Sequence, residues 1–314
     1  GKSSVAHWLY ECLEKLSPNK VYLTGNDRNT KPVITNTDFT PKDYLILEVS
    51  NRQLKHCKYF HPHIAAITNI TSNHISEHGS FDNYKQAKLK ITKHQTAKDH
   101  FFLPYNLNIQ NNKATVHAYS NLEVIQKKFP NMSTFNQENL SLIYAILIQL
   151  GFNNQEIIES FKNLTKLPDR FETLSTINNV TFYNDRQGTS IDSTIKVIEY
   201  FSEQEVYLIF GGATKGADIQ PLAEALKKPN ITGFGITSPI AEEISITNNL
   251  IISPNLTTAF EKAIIRAEES KKPVHILFSP ACEYGPYFAK IATNKDYENF
   301  KTLVEEYNKN LQNL

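Results

Sequence analysis

The first sixteen residues set a helical rhythm. Val5, Trp8, Leu9, Cys12, Leu13 and Leu16 recur at three- and four-residue spacing and form one apolar stripe. The pattern then changes to short apolar runs, "VYLTG", "YLILEVS" and "HIAAITNIT", each ending in small, polar or charged residues. Such runs predict buried parallel strands, and in open α/β sheets the carboxyl ends of parallel strands carry the site. "YKQAKLKITKHQ" and "NQENLSLIYAILIQLG" predict helices, the second closed by Gly151, while "HFFLPY" and "KATVHAYS" add strand-like pieces. A proline and a charge cluster in "NLTKLPDRFE" break the periodicity, so a domain boundary is expected there, dividing 1–166 from 167–314. Strand and helix alternate again beyond it. "VTFYND", "VYLIFGG", "ITGFGIT" and "VHILFSPA" read as strands, separated by helices over Ser190 to Phe201, near Pro221 to Leu226, and over Thr257 to Glu268, with a closing helix to about Asn308. This is the pattern of a second α/β domain with a mostly parallel sheet, and the tail "NKNLQNL" is expected to fray.

A chain of 314 residues is long enough for roughly two cores. The formal net charge of +1, with basic residues spread along the chain, argues against nucleic acid as a main partner. Cys12, Cys57 and Cys282 are far apart and odd in number, which fits a reducing compartment better than a disulfide framework or a zinc cluster. Cys12 lies on the apolar stripe and is expected to pack there. No apolar run approaches the ~20 residues needed to cross a bilayer, so no membrane partner is expected.

The chemistry begins at the first letters. "GKSS" opening a helix matches the second half of a phosphate-binding loop, G-x-x-x-x-G-K-[ST], in which backbone N–H groups and a lysine hold phosphates and the hydroxyl offers a magnesium ligand. The one methionine is Met132, so the chain is expected to be a fragment or a processed product. Glu48 would place a carboxylate at a strand's carboxyl end, unless it is a solvated loop residue. His74 and His78 follow a strand-like run, and His78 is expected to face solvent. Lys88 is one of several helical lysines, for which a solvated face is the ordinary reading.

Taken in order, Gly-Lys-Ser, Glu-x-Ser after a strand, "TNITSNH", "YKQAK", "NQEN", "PDRFE", "YNDRQGTS", "GGATKGAD" and "LFSPAC" resemble the Mur ligase family along essentially the whole chain. "SPAC", with the Asn-Asp pair and a later threonine, is most similar to the branch that adds D-glutamate. The resemblance implies an α/β fold with a central P-loop ATPase-type domain, a C-terminal Rossmann-like domain for the incoming amino acid, and an N-terminal UDP-binding domain outside this chain. It also implies an ATP-dependent amide ligase that phosphorylates a carboxylate and lets an amine attack the acyl phosphate. The substrates would be a UDP-linked muramoyl precursor and a free amino acid. The setting would be peptidoglycan precursor synthesis in the cytoplasm, serving cell shape and division, with the enzyme a monomer.

By the same resemblance Gly1, Lys2, Ser3 and Ser4 would hold ATP phosphates, and Ser3 with Glu48 a first Mg2+. His74 would bind a second Mg2+. Lys88 would react with carbon dioxide to a carbamate, turning a cation that repels magnesium into an anion that orients it. Asn136 and Asn139 would lie near the adenine, Arg170 would reach ATP from the domain junction, and Asp185 would accept from the ribose hydroxyls. "NQEN" and the Asn184–Asp185 pair have plainer readings as helix caps, and Arg170 as a surface ion-pair partner. Asn26 and Ser50 would see the muramoyl substrate, and Thr189, Lys215 and Tyr284 the amino acid.

Among the departures from the family pattern, three bear on the amino-acid site. Gln187 stands where a lysine is expected, and Glu283 and Tyr284 replace Ala-Ser after "SPAC". Losing a cation and gaining Glu283 should weaken a dicarboxylate's binding. D-Glutamate remains the leading acceptor, with a neutral or basic amino acid as an alternative. A folylpolyglutamate synthetase-like ligase and a non-catalytic nucleotide-binding module are the competing functions.

Overall fold

The computed structural model describes residues 1–26, 39–71, 75–107, 109, 113–120, 122–284 and 299–312. Its contacts divide the chain into two compact units, one of Gly1–Thr71 with His78–Thr165, the other of Ser72–Glu77 with Lys166–Leu314.

In the first unit, α1 (Lys2–Leu16) starts at Gly1 and buries Val5, Trp8, Cys12 and Leu13 from its apolar stripe. Two parallel strands follow, β1 (Val21–Gly25) and β2 (Tyr44–Glu48), in register from Val21↔Tyr44 to Gly25↔Glu48. The sequence read β2 as buried; Leu45 and Leu47 are instead exposed, while Tyr44 and Ile46 join the core under α1. Alternation arises because the core covers one face of this pair.

Then come α2 (Asn51–His56), β3 (Ile64–Ala66), the short α3 (Ile75–His78) and α4 (Phe81–Leu89). Next are β4 (His100–Pro104), β5 (Thr115–Tyr119), α5 (Glu123–Lys128), α6 (Thr134–Gln149) and α7 (Asn154–Ser160). β3, β4 and β5 form a second parallel sheet. Phe102, Ile125, Leu140, Ile143, Leu147 and Ile157 close the core with α1. The helix expected from "YKQAKLKITKHQ" starts earlier, because Ser80 caps it by accepting from the Asn83 N–H. It ends at Leu89, before a 3-10 turn over Lys90–Thr92.

The second unit contains β6 (Glu172–Ile177), β7 (Val180–Asn184), α8 (Ile191–Tyr200), β8 (Glu205–Phe210), α9 (Gln220–Ala225) and β9 (Ile231–Ile236). It continues with α10 (Pro239–Ser245), β10 (Ile251–Ser253), α11 (Leu256–Glu269), β11 (Val274–Phe278) and α12 (Phe300–Gln312). The sheet order is β10-β9-β8-β11-β7-β6, parallel except for β6, which pairs antiparallel with β7. β8 is buried from Val206 to Phe210, as expected of an inner strand covered on both faces. Phe182, Tyr207, Phe234, Phe260, Phe278 and Phe300 lie in the core beneath α11 and α12. The chain leaves β8 outward through β9 and β10, then returns as β11 between β8 and β7. That reversal opens the crevice that open α/β sheets use for ligands, at the carboxyl ends of β7, β8 and β11. The tail expected to fray is helical as far as Gln312.

Candidate active site

Two groups of expected site residues gather, one in each unit. In the first, the parallel register brings the end of β2 beside the start of α1. Ser3 Oγ donates to Glu48 Oε2 at 2.6 Å. Both residues are buried, so Glu48 is not a solvated loop carboxylate. Asn26 is added to the pair: its backbone N–H donates to the Glu48 carbonyl at 2.7 Å, and Nδ2 reaches Glu48 Oε1 at 3.4 Å. The approach needs Gly25, whose φ is +128° and whose Cβ, if present, would strike the Glu48 backbone.

α1 has no acidic side chain in its first turn. Its leading N–H groups lack acceptors within the helix and, with the helix dipole, favour an anion. The Asn139 carboxamide packs against Gly1, where any side chain would collide with it, and Asn139 Nδ2 donates to Asn136 Oδ1 at 3.3 Å. Neither asparagine caps its helix, for Ser133 holds that position.

Lys88 also lies within this unit. Its Nζ donates to the Asn69 carbonyl at 3.2 Å and stands 4.6 Å from the centre of the Tyr84 ring. Burial, reinforced by repulsion from Lys2, lowers its pKa from 10.5 to about 7, so a solvated helical lysine is not what the structure contains. Ser50 caps α2 in a reciprocal box: its hydroxyl accepts from the Gln53 N–H, and its own N–H donates to Gln53 Oε1. His78, expected to face solvent, is half-buried; its ring meets Tyr84 edge-on, and Nε2 shares a 2.8 Å hydrogen bond with Asn51. His74 lies outside the described residues.

In the second unit the loops after β7, β8 and β11 hold the rest. Asp185 is buried, and both its oxygens accept inward, from the Phe171 N–H at 3.1 Å and from Ser279 Oγ at 2.8 Å. Burial pushes its pKa up to about 7 against the opposing pull of those bonds and of Arg170. The Asn184–Asp185 pair does not cap α8, because Ser190 does. Lys215 Nζ lies 3.9 Å from Glu283 Oε1. Thr189 is half-buried beside the exposed Gln187. Tyr284, assigned by sequence to the amino-acid site, is buried in the core with its ring edge-on to Phe278 at 5.1 Å. The larger ring reaches the apolar layer that a serine would not. Sequence reasoning left Ser279, Asp169 and Phe171 without roles, although "SPAC" and "PDRFE" contain them.

Residues 1–166 match the model of the Mur ligase middle domain. The chain belongs to the Mur ligase family. Among similar curated proteins, a UDP-N-acetylmuramoylalanine--D-glutamate ligase of Fervidobacterium nodosum is 32% identical over 278 residues, 84% of this chain and 63% of that protein. Its namesake from Alkaliphilus metalliredigens is 26% identical over 85% of this chain and 65% of its own length. The chain thus spans somewhat under two thirds of these relatives. A Thermotoga maritima MurF ligase solved with ADP shares the fold at 16% identity, with a TM-score of 0.68 over 89% of this chain and 74% of that one.

Magnesium is the metal that the sequence resemblance implies, and the residues present would fit it. Ser3 Oγ and the Glu48 carboxylate are adjacent hard oxygen donors, the class that Mg2+ prefers. Among the described residues no three His, Cys, Asp or Glu side chains form a metal cluster. No helix among the described residues is long and apolar enough to cross a membrane.

Proposed function

We propose that this Mur ligase is an ATP-dependent enzyme that joins D-glutamate to UDP-N-acetylmuramoyl-L-alanine in peptidoglycan precursor synthesis, working as a cytoplasmic monomer in support of cell shape and division. The observation that carries the reading is the buried Ser3–Glu48 contact at the start of α1, in the unit where Lys2 and Lys88 also influence one another. Gly1, Lys2, Ser3 and Ser4 bind the phosphates, with Asn136 and Asn139 bracing the same end of α1 or meeting the base. Ser3 and Glu48 would hold magnesium, which would supply charge neutralisation at the phosphates.

An amine of pKa about 7 is substantially neutral at physiological pH and can add carbon dioxide. The lone pair of Lys88 Nζ forms the new N–C bond, one proton leaves, and a carbamate anion replaces the cation. This converts the repulsion between Lys88 and Lys2 into attraction. His74 is assigned to a second magnesium. Asn26 and Ser50 face the muramoyl substrate, while Lys215 and Thr189 receive the amino acid. Arg170 supplies positive charge to ATP.

In the reaction the carboxylate of the muramoyl substrate takes the γ-phosphoryl group as ADP leaves. The amino acid's neutral amine then attacks the carbonyl carbon, phosphate departs and a proton is lost to give the amide. The test is phosphate release by the protein with each substrate omitted in turn, using the muramoyl substrate labelled with oxygen-18 in its carboxylate. Label appearing in phosphate, together with dependence on both muramoyl substrate and D-glutamate, is expected. ATP cleavage indifferent to both substrates would overturn the assignment.

A further inference from the structure

The basic residues that look evenly spread along the sequence are gathered by the fold of the first unit. α2 and the stretch after it, 51–63, contain Arg52, Lys55 and Lys58 and no acid. The 3-10 turn and its continuation, 90–100, contain Lys90, Lys93 and Lys98 and one acid, Asp99. All six cations are exposed, whereas Asp99 keeps 2% of its surface in solvent. α2 packs against both α4 and the 3-10 turn. Hydrogen bonds then stitch the two segments into one surface. Lys90 Nζ donates to the Lys55 carbonyl at 2.8 Å, Gln95 Nε2 to the Pro62 carbonyl at 2.9 Å, and the His100 N–H to the His63 carbonyl at 2.8 Å. His61 Nε2 lies 2.7 Å from Asp99 Oδ2, which also accepts from the Thr96 N–H at 2.6 Å and the Thr96 hydroxyl at 2.9 Å. The one carboxylate of the two segments is therefore engaged with His61 and with the turn.

Like charges gathered on one face repel, and in a chain of net charge +1 the gathering is a local feature rather than a general excess of base. An anionic surface turns that repulsion into attraction. Tyr59, next to Lys58, is 86% exposed, and it is the one Phe, Tyr or Trp of the two segments that is exposed. A tyrosine among cations suits a lipid headgroup layer, with the ring in the interface and the cations on the phosphates. A single-stranded polynucleotide calls instead for a series of aromatic platforms, one for each successive base. The surface also lies at the amino ends of β3 and β4, which start at Ile64 and His100, and these are the ends that open α/β sheets do not use for ligands.

We propose that this surface docks the protein reversibly on an anionic phospholipid bilayer, with Arg52, Lys55, Lys58, Lys90, Lys93 and Lys98 toward the headgroup phosphates and Tyr59 entering the interface. The attachment is peripheral, so the lack of a membrane-crossing helix among the described residues does not bear on it. Each cation near such a surface raises partition by about fivefold, so six give salt-sensitive binding without a lipid anchor.

The test is co-sedimentation of the protein with vesicles of equal parts phosphatidylglycerol and phosphatidylcholine, against vesicles of phosphatidylcholine alone. Binding to the anionic vesicles only, lost as salt rises from about 0.1 M to about 0.5 M, is expected. The triple variant Lys58→Gln, Lys93→Gln, Lys98→Gln should partition about 100-fold less. The same change at Lys228, Lys271 and Lys272, exposed in the second unit, should leave partition within about twofold of wild type. Tyr59→Ser should weaken binding while leaving its salt dependence in place. Circular dichroism and phosphate release in solution are expected to match wild type in every variant. Equal binding to neutral vesicles, salt-independent binding, or a Lys58/Lys93/Lys98 variant that partitions like wild type overturns the proposal. Preference for polyuridylate over the vesicles at the same salt, abolished in that triple variant, also overturns it and assigns the surface to a polynucleotide. The lipid and salt dependence of the unsubstituted protein is read without any variant, so a variant that fails to fold does not spare the proposal. The ligase reading is tested separately, by phosphate release in the absence of vesicles.

Discussion

The Lys215 ammonium lies 3.9 Å from Glu283 Oε1, across a bridge in which Ala213 and Glu283 exchange backbone hydrogen bonds of 3.1 and 3.0 Å. The bridge joins the loop after β8 to the loop after β11, so the cation assigned to the incoming amino acid already has an anionic neighbour. A dicarboxylate must compete with Glu283 for it. Glu283→Gln is therefore expected to lower KM for D-glutamate about two- to fivefold, the roughly 0.5–1 kcal/mol of a partly exposed pair, with little change in kcat. Kinetics at saturating ATP check this. An unchanged or raised KM would remove Glu283 from acceptor selection.

Lys88 gives a pH dependence of defined sign. Its folded pKa of about 7 lies below the ordinary 10.5, so between those values the unfolded chain holds a proton that the folded chain lacks. Lys88 makes stability rise with pH across that window, and the contribution is lost as pH falls through about 7. Urea denaturation of wild type against Lys88→Met from pH 6 to 10 should show this slope in the wild type alone. Trace acetylation should likewise label Lys88 with a midpoint near 7; a midpoint near 10 would contradict the burial argument.

If the Lys88 carbamate forms, Lys88→Ala loses ligation, and excess acetate or formate restores part of it by filling the vacated anion position. Full activity of the variant without added carboxylate would exclude the modified lysine from the reaction.

Ser3 and Glu48 separate folding from chemistry. Ser3→Ala strips a buried carboxylate of its 2.6 Å donor and should cost about 1–3 kcal/mol of unfolding free energy. Glu48→Gln keeps shape and an acceptor, so stability should hold within about 1 kcal/mol, while magnesium-dependent ATP cleavage falls about 100-fold or more. Chemical denaturation and phosphate release distinguish the two effects.

Gly25→Ala is expected to destabilise by about 1–3 kcal/mol or more, because φ of +128° is strained for alanine and its methyl would strike the Glu48 backbone. The same variant should weaken ATP binding, since relief of the clash moves Glu48 away from Ser3. Isothermal titration with ATP and magnesium, on protein shown by circular dichroism to be folded, measures this.

What the sequence determined by itself was largely local. The stripe of α1, the runs of β1, β4, β7, β8, β9 and β11, and the end of β2 at Glu48 all follow from side-chain periodicity, which reports which face of an element leaves water. Short, weakly periodic elements such as α2, α5, α10 and β10 were not legible, since three to seven residues give too few repeats to define a face. Only the tertiary structure decided the partners: that Glu48 meets Ser3 forty-five positions away, that Lys88 is buried where Lys2 repels it, that Asp185 turns inward to Phe171 and Ser279, and that Tyr284 packs in the core. These outcomes depend on strand order and register, which bring distant loops to one sheet edge. The identity of a residue does not say whether it faces water or a neighbour there; the packing around it does.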